Sequence, residues 1–222
     1  MFGRRRREET PAAAVEEAAA QAPARESGPW DAGEPHPERE RVDLGGLRVP
    51  VGPGFEIQLN LAGDRIVGAV VLAEESALQV QAFAAPKRNG IWDEVRAELA
   101  AAVKNAGGTA EERQGPFGTE LAAKVPGEGG PQPVRYLGID GPRWFLRAAV
   151  SGRAALDAGA AGVLEDVVRD IVVVRGDEPM PPHESIELRL PPEARQAMDR
   201  QAEAGAPDLN PFERGPEIAE LR

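Results

Sequence analysis

Strand-like segments follow one another in this chain without a helix between them, and that order confines the fold to sheets of largely antiparallel neighbours. In FEIQLNLAG, Phe55, Ile57, Leu59 and Leu61 alternate with Glu56, Gln58 and Asn60, which marks a strand with one polar face. Gly63-Asp64 turns the chain into RIVGAVVLAEE, whose residues 66–72 are nearly all apolar or glycine, as suits a strand covered on both sides. After a turn at Glu74-Glu75-Ser76, ALQVQAFAAP alternates through Leu78, Val80 and Ala82, and Phe83 shifts the register. Upstream, Val42, Leu44, Leu47 and Val49 in RVDLGGLRVP form a short strand pair bent at Gly45-Gly46.

Only then does the period change. Ile91, Trp92, Val95, Leu99, Ala102 and Val103 recur at helical spacing, with Asn89 placed to cap the start and Gly107-Gly108 to end it. Asp93 and Glu94 lie near the positive end of this helix, and Trp92 in its first turn is expected to anchor it to the sheet. Two hairpins follow. TAEERQGPFG and TELAAKVPG make the first, and residues 134–139 and 143–150 make the second around Asp140-Gly141-Pro142, where the glycine tolerates positive φ. A second helix, capped by Asp157, carries Ala160, Val163, Leu164, Val167, Val168 and Ile171; Val172-Val173-Val174 ends it or continues as a strand. IELRLPP closes the series as an edge strand or clamp through Ile186, Leu188 and Leu190. The fold class is therefore α+β: an antiparallel sheet covered by helices, built from two strand-rich halves each followed by one helix. No βαβ alternation supports a Rossmann or barrel reading.

Large apolar side chains thin out before residue 42 and after residue 190. The chain accordingly divides into a disordered N-terminal tail (1–41), one domain (42–190) and a flexible C-terminal tail (191–222). Each tail carries a lone aromatic, Trp30 and Phe212, which a plain linker does not need. There is no cysteine among the 222 residues, and histidine occurs only as His36 and His183, both flanked by proline and glutamate. Thiol chemistry, Cys-ligated metals, a multi-His metal site and a Ser–His–Asp triad thus have almost no material, and no cofactor is expected. A net charge of −11 disfavours nucleic acid and anionic membranes at long range. No apolar run is long enough to span a bilayer, and the N-terminal MFGRRRREETP has no apolar stretch behind its arginines, so membrane insertion and a secretory signal are not expected and a cytoplasmic location is.

Six strings also stand out as a set. They are MFGRRR at the start, GPWD at 28–31, RVDLGGLRVP at 41–50, LQVQAFAAPK at 78–87, DGPRWFLR at 140–147, and EDVVRDIVVVRG at 165–176 followed by PMPP. Together, and in this order, they resemble a family of actinobacterial proteins of unknown function that begin with the same arginine block. The resemblance implies an identity and no reaction; genes of that family often lie beside those of a dUTPase and an OB-fold protein. The strand–helix order also resembles the PsbP-like α–β–α sandwich, an analogy of topology that transfers no function.

The one segment with chemistry to offer is DGPRWFLR. Alternation places Arg143, Phe145 and Arg147 on one strand face and Trp144 with Leu146 on the core side. The two arginines, with Asp140 and Trp144 nearby, make either an anion or peptide site or an ordinary solvated strand face. Gly45-Gly46 lacks the following helix of a phosphate loop and reads as a tight turn. Arg4–Arg7 offers a weak, salt-sensitive contact to nucleic acid, partly cancelled by Glu8 and Glu9. The leading expectation is a non-catalytic interaction or assembly module for a protein partner, with Trp30, Phe212, Arg143 and Arg147 as contact candidates. The alternatives are a binder of, or enzyme on, an anionic, nucleotide-like small molecule through Arg143 and Arg147, and weak nucleic-acid association through the N-terminal arginines.

Overall fold

Ten strands of two or more residues precede the last helix in the computed structural model, which describes residues 26–62, 65–87, 90–191 and Gln196. They are β1 (Trp30–Asp31), β2 (Arg41–Asp43), β3 (Leu47–Pro50), β4 (Glu56–Ala62), β5 (Arg65–Ala73), β6 (Ser76–Ala84), β7 (Thr109–Gly115), β8 (Gly118–Val125), β9 (Gln132–Asp140) and β10 (Trp144–Gly152). Helix α1 (Trp92–Asn105) separates β6 from β7, α2 (Ala158–Asp170) follows a 3-10 turn at Arg153–Ala155, and β11 (Val172–Val173) comes last. Seven strands form one antiparallel sheet in the order β4-β5-β6-β10-β9-β8-β7. Its halves, β4–β6 and β7–β10, are each joined in sequence and meet where β6 pairs with β10, from Ser76 opposite Gly152 to Ala84 opposite Trp144.

The sheet has two unlike faces because its strands alternate. Ala69, Val71, Leu78, Val80, Leu146, Ala148 and Val150 point to one side and pack with Ala161, Leu164, Val167 and Val168 of α2 in the main core. Removing each of these larger side chains from water contributes roughly 1.5–3 kcal/mol. On the other side α1 packs on β7, β8 and β9. Its Trp92 ring stacks on Phe145 at 5.9 Å and donates from Nε1 to the carbonyl of Thr119 at 2.6 Å. Gly138 lies directly under that ring: a β-carbon there would come within 2.1 Å of it. Trp92 is thus the sheet anchor that its first-turn position predicted. Phe83 of β6 joins the cluster of Ile91, Trp92 and Phe145 at the start of α1, whose main contacts are on β7, β8 and β9.

Several sequence expectations are corrected. Residues before 42 also belong to the fold. Trp30 is 8 % exposed and β1 pairs in parallel with β11, so residues 30 and 31 belong to a second, four-stranded sheet of order β1-β11-β3-β2. Leu47, Val49 and Val173 of that sheet join the main core beside α2. A single sheet was expected because strands of two residues are too short to show a period. In α2 the buried stripe runs through Ala161, Leu164, Val167 and Val168, while Val163 is 47 % exposed. Asp157 caps α2 as expected, accepting from the Gly159 amide at 2.8 Å. Ile186–Arg189 act as a clamp, touching Gly45 and Ile66 through Leu188 and burying Ile186. Leu190 begins a second unit, of which few residues are described. Asn89, Gly63-Asp64, Arg4–Arg7 and Phe212 lie outside the described residues.

Candidate functional site

The DGPRWFLR segment turns from β9 into β10, and most of its polar groups serve the fold. Asp140 Oδ1 accepts from the Ile91 amide at 2.9 Å, and its Oδ2 faces the Trp92 amide at 3.4 Å. This carboxylate, distant in sequence, therefore caps the start of α1, where the free amides and the helix dipole favour negative charge. Trp144 is fully buried, and its Nε1 donates to Asp31 Oδ2 at 2.7 Å. Gly141 is required for space, since a β-carbon there would lie 2.1 Å from the Trp144 ring. The positive φ of the turn falls on Arg143, at 62°, and not on the glycine.

The two arginines do not share a site. Arg143 sits in the turn, its carbonyl accepting from the Ala85 amide at 2.9 Å, and lines a cavity with Lys87 and Arg175. Arg147 lies four residues along, about 13 Å at strand rise, on the face that α1 only half covers. Its register neighbours are Gln81 on β6 and Gly138 on β9. Its Nη2 donates to Gln81 Oε1, and its guanidinium stands 5.1 Å over the Phe83 ring. Burial holds the guanidinium below the usual arginine value, which proximity to Tyr136 only partly offsets. No carboxylate pairs with it among the described residues. Beside it runs a row across the sheet, Gln58–Val70–Gln79–Ala149–Tyr136–Leu121, one residue per strand from β4 to β8. The helix covers this row at the Leu121 end and leaves the Gln58 end without a helical cover. The result is a shallow, mixed polar and apolar platform around one uncompensated cation.

A family model described as "Protein of unknown function (DUF3710)" matches residues 28–197. The chain belongs to this family. The family match opens at Gly28, just before β1, and so includes the segment that docks Trp30 into the small sheet. No curated protein matches the chain. Among solved structures, the fold is similar to the solution structure of cyanobacterial PsbP (CyanoP) from Synechocystis sp. PCC 6803, at 13% identity and a TM-score of 0.39, covering 66% of this chain and 99% of that one.

A second cluster escaped sequence reasoning. On the α2 side of β9, Arg135 Nη2 donates to Glu120 Oε2 and to Glu165 Oε1, both at 2.9 Å, and Nη1 donates to the Ala154 carbonyl at 3.3 Å. Arg113 adds a 2.6 Å bond to Glu120 from the neighbouring strand. Arg135 and Glu120 are almost wholly buried, and Glu165 is nearly so. Although burial disfavours the charged guanidinium, Glu120 and Glu165 outweigh it and raise Arg135 above the ordinary value. The group borders a cavity of about 410 Å³ beside the 3-10 turn. Its donors and acceptors satisfy one another, so its chemistry is that of a clamp joining β8, β9 and α2. The sequence signal was faint: Glu120 and Arg135 stand at positions that alternation assigns to a covered face, where a charge requires a partner. Among the described residues, no group of three His, Asp or Glu side chains is placed to hold a metal ion, and no helix is long and apolar enough to cross a membrane.

Proposed function

We propose that this chain is a non-catalytic, cytoplasmic interaction module whose protein partner docks on the platform centred on Arg147. The observation that supports this reading is a half-buried guanidinium at the edge of the part of the sheet face that α1 covers, with no carboxylate paired to it among the described residues. The fitting partner is a flat protein surface that lays apolar side chains against Val70 and Leu72 and sets one carboxylate over Arg147. Burial in such an interface strengthens a charge-assisted hydrogen bond. The shallow platform suits a macromolecule better than a small substrate, which needs a concave site.

A photo-crosslinking residue at Gln79 tests this in cells, with one at Val163, on the outer side of α2, as the control. The expected result is a single protein adduct from position 79, absent from position 163 and abolished by Arg147→Glu in a chain whose circular dichroism is unchanged. Adducts of the same kind from both positions, or a position-79 adduct indifferent to Arg147→Glu, reject the reading.

A further inference from the structure

The cavity at the β9–β10 turn is distinct from the platform and independent of the interaction reading. It measures about 470 Å³ and is bounded by Lys87, Arg143 and Arg175, which carry charge, and by Ala85, Met180 and several prolines. All three are cations, and among the described residues no carboxylate lines the wall. None of the three forms an ion pair among the described residues. Arg175 is held at the wall by backbone oxygens alone, its Nη1 donating to Glu178 at 2.8 Å and to Gly176 at 3.3 Å, and its Nε has no partner. Carbonyls orient this guanidinium without neutralising it. In a chain of net charge −11, three convergent cations without a counter-charge stand out against the rest of the surface.

Arg143 adds a backbone argument. Its φ of 62° lies in the left-handed region, where glycine is the unstrained choice and a long side chain is uncommon. Strain of this kind concentrates where a side chain must be presented to something. Here the conformation sets the guanidinium at the cavity instead of continuing the alternation of β10 onto the platform.

We infer that Lys87, Arg143 and Arg175 form a binding site for a small phosphate-bearing molecule. One arginine fork, the donors of a second guanidinium that the carbonyls leave over and one ammonium match a compact anion of charge near −2 or more, as a phosphate ester carries, better than a single carboxylate. The cavity lies in the size range of small-molecule sites and far exceeds one water. Its remaining wall is mostly proline, which offers no amide donor, with Met180 and Ala85. The wall therefore favours a ligand whose non-phosphate part is small and apolar. Among the described residues no aromatic side chain lines it to give a stacking surface for a nucleobase.

Isothermal titration of the full chain with inorganic pyrophosphate at low salt tests the site, with citrate as the non-phosphate trianion. The expected result is pyrophosphate binding at about 1 mM or tighter, and citrate at least tenfold weaker. Losing one charge-assisted contact should weaken pyrophosphate by about tenfold or more in Arg143→Gly and in Lys87→Gln. Arg143→Gly should at the same time raise the melting temperature, because glycine relieves the left-handed backbone; a merely structural arginine would not separate the two readouts. Lys104→Gln, at an exposed position of α1, should bind as the unmodified chain does. Absence of pyrophosphate binding, binding unchanged in Arg143→Gly and Lys87→Gln, or citrate binding as tight as pyrophosphate overturns the assignment.

Discussion

Arg135 and Arg147 lie on neighbouring strands of the same sheet and point to opposite faces. Arg135 is the more deeply buried of the two, yet its charge is met by Glu120 and Glu165 and by a carbonyl. Arg147 keeps more solvent contact and has only a glutamine and an aromatic ring. The difference teaches that burial alone does not mark a functional charge. A fully paired guanidinium belongs to the architecture, whereas a partly desolvated one without a counter-charge is where the molecule can still gain by binding.

Arg135→Met breaks the comparison most sharply. It takes from buried Glu120 and Glu165 the cation they share, leaving Arg113 on the first and Arg169 on the second, and should cost up to about 3–5 kcal/mol in urea unfolding. A loss below about 1 kcal/mol would show that the clamp is not structural. Next in size is Gly138→Ala, which places a methyl under the Trp92 ring and lifts α1 from the sheet. Overpacking of this kind costs about 1–3 kcal/mol and should red-shift tryptophan emission. It marks the line at which the covered half of the Arg147 face ends. Arg147→Met, by contrast, exchanges an uncompensated charge for a chain of similar length. Solvent at the half-exposed head screens the effect, so stability should stay within about 1 kcal/mol of the unmodified value, or rise. Equal losses for the Met variants of Arg135 and Arg147 would erase the distinction between the faces.

The smallest expected effect concerns the closed face through the cap of α2. The Gly159 amide, helped by Arg153, holds the Asp157 carboxyl below its ordinary value of 3.8. A carboxyl depressed on folding contributes stability that is present above 3.8 and is lost as pH falls through the lower folded value. Asp157→Asn keeps a capping oxygen and removes the titration. Its melting temperature should therefore fall less than that of the unmodified chain on acidification below pH 3.8.

Long alternating segments made much of this legible in advance. Ile57, Leu59, Val80 and the β9–β10 hairpin follow from period and turn chemistry alone, and so does the antiparallel sheet with its helices. The small sheet was hidden because Trp30–Asp31 and Val172–Val173 are too short to carry a period, and their pairing joins distant parts of the chain. Trp30, a candidate for partner contact in the sequence, docks within its own chain. At the candidate sites, sequence named Arg143 and Arg147 and placed them on one face. The left-handed turn at Arg143 separates them, and no local signal announces such a φ on an arginine. Lys87 and Arg175 reach the Arg143 cavity from separate segments, a convergence that a linear reading does not contain.

The seam between β6 and β10 also bears on how the chain reaches its fold. Every other neighbouring pair in the large sheet joins strands consecutive in sequence, whereas Ala84 must find Trp144 and Ser76 must find Gly152 across a stretch that includes α1 and three strands. Closing that loop costs entropy before any contact across it is made, and contacts of this range slow folding. The halves are thus expected to organise locally first, with the seam setting the rate. Stopped-flow refolding of Ala148→Gly, at the seam, against Ala122→Gly, within one half, checks this: only the former should slow the main folding phase. The core that α2 closes over is, in kinetic terms, a meeting place of two separately formed units, and until they meet, both edges of the seam stand open to a wrong partner.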